Sequence, residues 1–247
     1  MLLAIDIGNT NISFGLFRQD KLAKRLNIPT KAYSLKKLRK SLGNIGLDDA
    51  IICSVVPEAT RIVQKGLNSV LRGRAYILGK DMQVPVKNLY RNPKQVGLDR
   101  LVNAYAAVRL FGAPVIVVDF GTAVTFDVIS KKEEYLGGMI LPGLNISLEA
   151  LADRTALLPR IKLAQPTEFI GKDTKTSMLS GIVYGFAAAT DDLAQRIKKE
   201  IGRAALVVAT GGNIKLIASY CARLDRTDID LTLKGLNLIY KKYKKSS

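Results

Sequence analysis

The sequence predicts an α/β protein of two related lobes, and three observations carry that prediction. The chain has 247 residues, which at roughly 150 per domain suits one large domain or two small ones. A short apolar run ending in an Asp-x-Gly turn, followed by an alternating apolar stretch, occurs twice. The copies are Asp6-Ile7-Gly8-Asn9 and Asp119-Phe120-Gly121-Thr122, 113 residues apart. A repeat near half the chain length points to paired lobes rather than a solenoid. Around both copies, apolar strand-like runs alternate with segments of helical period.

Leu2–Ile7 reads as a strand, Gly8-Asn9-Thr10 as a polar hairpin tip, and Ile12, Phe14 and Leu16 as the alternating face of a second strand. Residues 34–43 are helical and basic. Ala50–Val56 is a buried strand closed by Pro57, and 58–72 an amphipathic helix (Ile62, Val63, Leu67, Leu71) ended by Gly73. Residues 80–97, with Pro85 and Pro93, are rich in loops. A helix runs from Leu98 to Phe111, with Leu101, Val102, Tyr105 and Val108 on one face and Gly112 just past its end. Val115–Val118 leads into the second Asp-x-Gly turn and the alternation Val124, Phe126, Val128. Lys131-Lys132-Glu133-Glu134 marks a solvated hairpin tip. Helices follow around 177–201 and 213–223, separated by the strand Leu206–Ala209, which exits through Thr210-Gly211-Gly212. The lobes are therefore expected at residues 1–112 and 113–247, with no linker between them.

Composition narrows the chemistry. There is no histidine, which removes Ser-His-Asp triads, Cys-His pairs and His-dependent zinc motifs. Cys53 and Cys221 form no CxxC and read as buried reduced thiols. Asp6 interrupts the apolar start before a signal-peptide core can form, and no apolar run approaches the roughly 18 residues of a membrane span. A cytoplasmic protein without a membrane partner is expected. The net charge is +17, of which residues 18–40 contribute +8 and Lys241, Lys242, Lys244 and Lys245 another +4. Aromatic residues are 6% with no tryptophan, so base-stacking platforms are poorly supported. The excess reads as a solvated basic surface, without a nucleic-acid partner.

The repeated turn has a mechanism. Glycine lets backbone approach a ligand closely, and the following amides, with Asn9, Thr10 and Thr122, can donate to phosphate oxygens. The aspartate at the strand end can hold a cation against those phosphates. Residues 1–17 carry only Asp6 as a charged side chain, and 113–130 only Asp119 and Asp127. A phosphate site on such acidic turns needs a metal ion. An ordinary hairpin turn is the competing reading for each copy alone. Gly73–Lys80 fails as a Walker A loop, with five intervening residues instead of four and Asp81 where Ser or Thr belongs, and no GxGxxG occurs. Gly171-Lys172-Asp173-Thr174 looks like a turn into the following helix, with capping as its simplest role. Asp99, in the first turn of its helix, suits the macrodipole. Functionally, it can accept a hydroxyl proton while Arg100 binds an anionic acceptor. Phosphoryl transfer through a loose transition state asks such an aspartate mainly to orient the hydroxyl.

Seven motifs stand in order along nearly the whole chain: Asp6-Ile7-Gly8-Asn9-Thr10-Asn11, Ser54-Val55-Val56-Pro57, Asn92-Pro93 with Gly97-Leu98-Asp99-Arg100, Asp119-Phe120-Gly121-Thr122-Ala123, Gly137-Gly138-Met139-Ile140-Leu141-Pro142-Gly143, Gly171-Lys172-Asp173-Thr174 and Thr210-Gly211-Gly212. The set resembles the type III pantothenate kinases. The resemblance implies an actin-like (sugar kinase/Hsp70-like) α/β fold of duplicated ribonuclease-H-like lobes with ATP between them. It implies ATP-dependent phosphorylation of the pantothenate primary hydroxyl to 4'-phosphopantothenate, the first step of coenzyme A biosynthesis. Carried across, Asp6, Ile7, Gly8, Asn9, Thr10, Asn11, Ile12 and Ser13 would form the first phosphate loop and Thr122 the second. Asp99 would be the proton acceptor. Tyr90, Gly97, Leu98, Asp99, Arg100 and Thr174 would line the pantothenate pocket. Asp119 would bind a monovalent cation, K+ or NH4+, alongside Mg2+ carried with ATP. A homodimer is implied too, with the Gly137–Gly143 turn and a helix at Leu144–Leu151 as its candidate contact and core packing as the other reading. The alternatives in other classes are a non-catalytic regulatory or binding protein on the same scaffold and a basic nucleic-acid binder.

Overall fold

The computed structural model describes residues 1–43 and 45–246. In chain order the elements are β1 (Leu2–Ile7), β2 (Asn11–Arg18), β3 (Lys21–Pro29), α1 (Leu35–Leu42), β4 (Asp49–Ser54), α2 (Pro57–Leu67), β5 (Ala75–Ile77), β6 (Lys87–Asn88) and α3 (Leu98–Phe111). Then follow β7 (Val115–Phe120), β8 (Ala123–Ile129), β9 (Glu134–Pro142), α4 (Leu144–Arg154), α5 (Thr174–Ile201), β10 (Leu206–Thr210), α6 (Ile214–Ile217), β11 (Arg226–Thr227) and α7 (Leu231–Ser246).

These elements form two compact units. The first takes Met1–Val86, Arg91–Arg109 and Asp230 onward, the second Lys87–Tyr90 and Leu110–Ile229. The first unit holds a five-stranded sheet in the order β3-β2-β1-β4-β5. Its β1 runs antiparallel to β2 and parallel to β4. In the second unit the order β9-β8-β7-β10-β11 repeats that succession with the same strand directions, and β6 is added beyond β9. Strands β1 and β7 coincide under the 113-residue offset of the sequence repeat. The duplication expected from two short turns is thus a duplication of whole sheets.

Strand β1 is apolar on both faces because both are covered. Leu3, Ile5 and Ile7 pack with Leu38 and Leu42 of α1 and Val63 and Leu67 of α2. Leu2 and Ala4 pack on the opposite side with Val102 and Tyr105 of α3 and Leu233 and Leu236 of α7. Each fully buried aliphatic side chain contributes about 1.5–3 kcal/mol. In the second unit Ile116, Val118 and Phe120 of β7 meet Val183, Ala187 and Ala194 of α5. Helix α5 is long, 28 residues, and opens on a capping box in which Asp173 accepts from the Thr176 amide at 2.8 Å. No helix among the described residues is long and apolar enough to cross a membrane.

Several expectations shift. The division at 112/113 placed everything after it in one lobe, but α7 packs in the first unit, because Leu233, Leu236 and Ile239 share a core with β1, β4 and α3. Residues 87–90 join the second unit through the pairing of β6 with β9. Most of the Gly137–Gly143 "turn" is strand β9, paired with β8 along its length and irregular only near Val128. The helix expected over 58–72 stops at Leu67, and that expected over 213–223 is α6 followed by a 3-10 turn at Ala218–Tyr220. Strand β3 falls in the segment whose sequence shows only its basic charge. It is an edge strand with one buried side chain, Ile28, where lysines guard against edge-to-edge pairing.

The lysine-rich tail is partly structural. Tyr240 Oη donates to Asp49 Oδ2 at 2.5 Å, the Arg74 amide donates to Asp49 Oδ1 at 2.8 Å, and Lys244 Nζ lies 3.2 Å from Oδ2. Burial pushes the Asp49 carboxyl up, but these donors outweigh it and hold it below the ordinary value. A depressed carboxyl stabilises the fold above its unfolded pKa, and that contribution is lost as pH falls through the folded one. The loss therefore belongs to pH below about 4. Tyr240→Phe is expected to cost roughly 1.5–3 kcal/mol at neutral pH, as for a hydrogen bond to a charged group. Urea denaturation measures it, and the deficit should shrink under acid.

Candidate active site

The first turn joins β1 to β2. Asp6 pairs with Ser13 across one side and with Cys53 across the other. Directly opposed residues in neighbouring strands share a face, so Asp6, Ser13 and Cys53 lie on the side that α3 and α7 cover, where Cys53 packs among Leu2, Ala4 and Val102. The Gly8 amide donates to the Asn11 carbonyl at 3.0 Å and closes the turn. Asn9, Thr10 and Asn11 project outward, whereas Ile7 and Ile12 are wholly buried. Of the expected loop residues, those two can offer a ligand only backbone.

Asp99 comes from the start of α3, on that same side of the sheet. Burial first, and then the carboxylates of Asp6 and Asp99, push the Cys53 thiol well above its ordinary value. Two acidic side chains from separate segments therefore bear on one buried sulfur, which stays protonated and inert. Asp99 Oδ1 accepts from the Arg100 amide at 2.9 Å. That oxygen folds over Gly97, where a Cβ would overlap it. Gly97 is thus needed for the aspartate's position, while Leu98 packs against Gly79. Arg100 is half-buried beside Asp99.

The second turn joins β7 to β8 within the second unit. Asp119 is flanked by Thr125 and Thr210 in the neighbouring strands. Two glycines border its carboxylate: a Cβ on Gly121 would lie 3.2 Å from Oδ1, and one on Gly211 would overlap it. Thr122 is exposed at the tip, and the backbone of Gly143, which caps α4, abuts it. The positive end of α4 consequently sits at this turn, an arrangement suited to anions. Among the described residues no three His, Cys, Asp or Glu side chains converge on a metal position. A cation at either turn would draw on one carboxylate plus backbone, water and phosphate oxygens, the usual donor set for Mg2+ with a nucleotide. At Asp119 the carboxylate is approached by the backbone of Gly211 and Gly121 without an intervening side chain, a cradle that a Cβ at Gly211 would fill.

Tyr90 and Thr174 belong to the second unit. The Tyr90 ring lies against Gly137 of β9, and its amide donates to Asn88 Oδ1 at 3.0 Å. Thr174, the first residue of α5, lines an open cavity of about 550 Å³ with Gly171, Lys172, Ser177 and Leu158. Asp6, Asp99 and Arg100 are brought together in one unit; Asp119, Thr122, Tyr90 and Thr174 lie in the other. Sequence reasoning missed one contributor. Thr30, just past β3, bonds to two carbonyls of the first turn, and nothing in the local sequence marks it. Cys53 is the buried free thiol that the sequence predicts, whereas Cys221 is only half-buried.

Comparison with known proteins gives a family, two relatives and a likeness of fold. The sequence model of the family described as type III pantothenate kinase matches residues 2–196. A type III pantothenate kinase of Agathobacter rectalis is 40% identical over 253 residues, covering 98% of this chain and 97% of its own. One from Syntrophobacter fumaroxidans is 42% identical, with 100% of both chains covered. Among solved structures, the activator of the 2-hydroxyisocaproyl-CoA dehydratase from Clostridium difficile, with bound ADPNP, aligns with a TM-score of 0.55. That alignment covers 99% of this chain and 96% of the other at 11% identity, a likeness of fold alone. The fold is of the actin-like class, and its duplicated sheets are those of ribonuclease-H-like lobes.

Proposed function

The chain belongs to the type III pantothenate kinase family, and from that premise we propose how its own residues carry the reaction. The activity is ATP-dependent phosphorylation of pantothenate, in coenzyme A biosynthesis. Asp99 accepts a hydrogen bond from the primary hydroxyl and orients it. The hydroxyl oxygen attacks the γ-phosphorus, the bond to the β,γ-bridging oxygen breaks, ADP leaves, and the hydroxyl proton passes to Asp99. In a loose transition state proton removal is late, so positioning and electrostatics supply most of the rate. The turns at Asp6–Ser13 and at Thr122 hold the phosphates of ATP. Magnesium bound with ATP would neutralise developing phosphate charge, and Asp119 would hold a monovalent cation, K+ or NH4+. Arg100 pairs with the pantothenate carboxylate, while Gly97, Leu98, Tyr90 and Thr174 shape its pocket.

The observation that carries this reading is geometric: Cys53 lies opposite Asp6 in the pairing of β1 with β4 and packs with Val102 of α3, the helix whose first turn carries Asp99. The regulatory alternative gives Asp99 no proton to accept and is not favoured. The proposal includes a cytoplasmic homodimer whose contact involves β9 and α4, where Met139, Ile140 and Ile146 are exposed. ADP release coupled to pantothenate, with and without potassium, tests the function. Turnover should require pantothenate and rise with potassium. Asp119→Ala is expected to abolish most of the potassium response. An unchanged potassium dependence in that variant would count against the cation role of Asp119.

A further inference from the structure

We propose that Thr30 is a positioning residue for the first phosphate turn, holding two of its carbonyls back so that the intervening amides face the nucleotide. The proposal rests on the reading that residues 6–13 bind the phosphates of ATP. Thr30 stands outside that turn in sequence, at the start of the 3-10 turn that follows β3. Its hydroxyl donates to the Gly8 carbonyl at 2.7 Å, and its amide donates to the Thr10 carbonyl at 3.0 Å. One half-buried side chain and its own backbone therefore engage alternate carbonyls of a four-residue tip.

A trans peptide points its C=O and N–H in opposite directions. The Gly8 carbonyl shares its plane with the Asn9 amide, and the Thr10 carbonyl shares its plane with the Asn11 amide. Drawing both carbonyls towards Thr30 turns the Asn9 and Asn11 N–H groups away from it. A carbonyl released from Thr30 could instead rotate outward and set its negative end against a phosphate.

Orientation matters more here than in a lysine-bearing loop. Residues 1–17 hold no basic side chain, only Asp6, so backbone amides and bound ions must supply the attraction. The brace is itself anchored. Pro29, at φ −52° and ψ 132°, precedes Thr30, and the register places it opposite Asn11.

The test is titration of Mg·ATP into wild-type, Thr30→Val and Thr30→Ser proteins, with steady-state kinetics alongside. Thr30→Val keeps the shape and loses the hydroxyl. It should weaken Mg·ATP binding about five- to tenfold, as loss of one hydrogen bond at a ligand-facing turn does, and raise KM for ATP in step. KM for pantothenate should stay within about twofold. Thr30→Ser should restore binding. Thr30→Ala carries the same expectation as Thr30→Val should the valine variant fail to fold. Wild-type Mg·ATP affinity in Thr30→Val or Thr30→Ala overturns the proposal, as does failure of serine to rescue. If the wild type binds ATP but transfers no phosphate to pantothenate, the kinase reading fails while the affinity ratio still decides the role of Thr30.

Discussion

Replacing Asp99 by Asn is expected to lower kcat by a factor on the order of 10²–10⁴, the usual worth of a positioned acid–base group, while leaving Mg·ATP affinity within about twofold. The substitution preserves shape. An asparagine carbonyl can still accept from the Arg100 amide, as Oδ1 does now at 2.9 Å, and can still lie over Gly97. What it loses is the negative charge and the capacity to take a proton. Pantothenate binding should change little, because Arg100 and the rest of the pocket remain. The loss therefore belongs in kcat rather than in either KM, the pattern of an interaction made mainly in the transition state. Single-turnover phosphate transfer measures it directly. Wild-type-like turnover in Asp99→Asn would remove Asp99 from the role of proton acceptor.

Much of the site was legible because its parts are local. Asp6-x-Gly8 and Asp119-x-Gly121 each end a strand that is apolar on both faces, and a repeat of such short motifs at half-chain spacing survives without alignment. Gly97-Leu98-Asp99-Arg100 announces a helix start by its spacing from Pro93 and by the apolar period that follows. The failures were all non-local. Thr30 acts on Gly8 and Thr10 only because β3 returns beside β2, and the apolar alternation of β3 is broken by Lys24, so neither strand nor brace was visible. The three glycines and the proline of residues 137–143 argued for a turn, yet pairing with β8 makes most of them strand. Leu233, Leu236 and Ile239 have a helical spacing that any sheet could use. Packing with Val102 and Tyr105, not sequence distance, assigns α7 to the first unit.

Replacing Gly211 by Ala is expected to damage the fold and the site together, whereas Ala at the adjacent Gly212 is expected to be tolerated structurally. Gly211 has φ +98°, a conformation that side-chain-bearing residues rarely adopt. A Cβ there would lie 2.5 Å from the Phe120 carbonyl carbon and 2.6 Å from the Phe120 nitrogen, and would overlap Asp119 Oδ1. Backbone atoms of a central strand cannot move aside as the end of a flexible side chain could. Strain at such a φ costs about 1–3 kcal/mol, and forced overpacking costs about 1–3 kcal/mol more. Against a total stability of roughly 5–15 kcal/mol, that should lower the thermal midpoint by about 5–20 °C. Relief through movement of Asp119 would displace the carboxylate assigned to the cation, so activity should fall even where the protein stays folded. At Gly212 no described heavy atom lies within 4 Å of an added Cβ, and the change in stability should stay within about 0.5 kcal/mol. Thermal melts of the two variants, with potassium-dependent ADP release on the folded fractions, make the comparison. Equal midpoints for Gly211→Ala and Gly212→Ala would mean that the close approach of Gly211 to Asp119 and Phe120 does not hold the second turn in place.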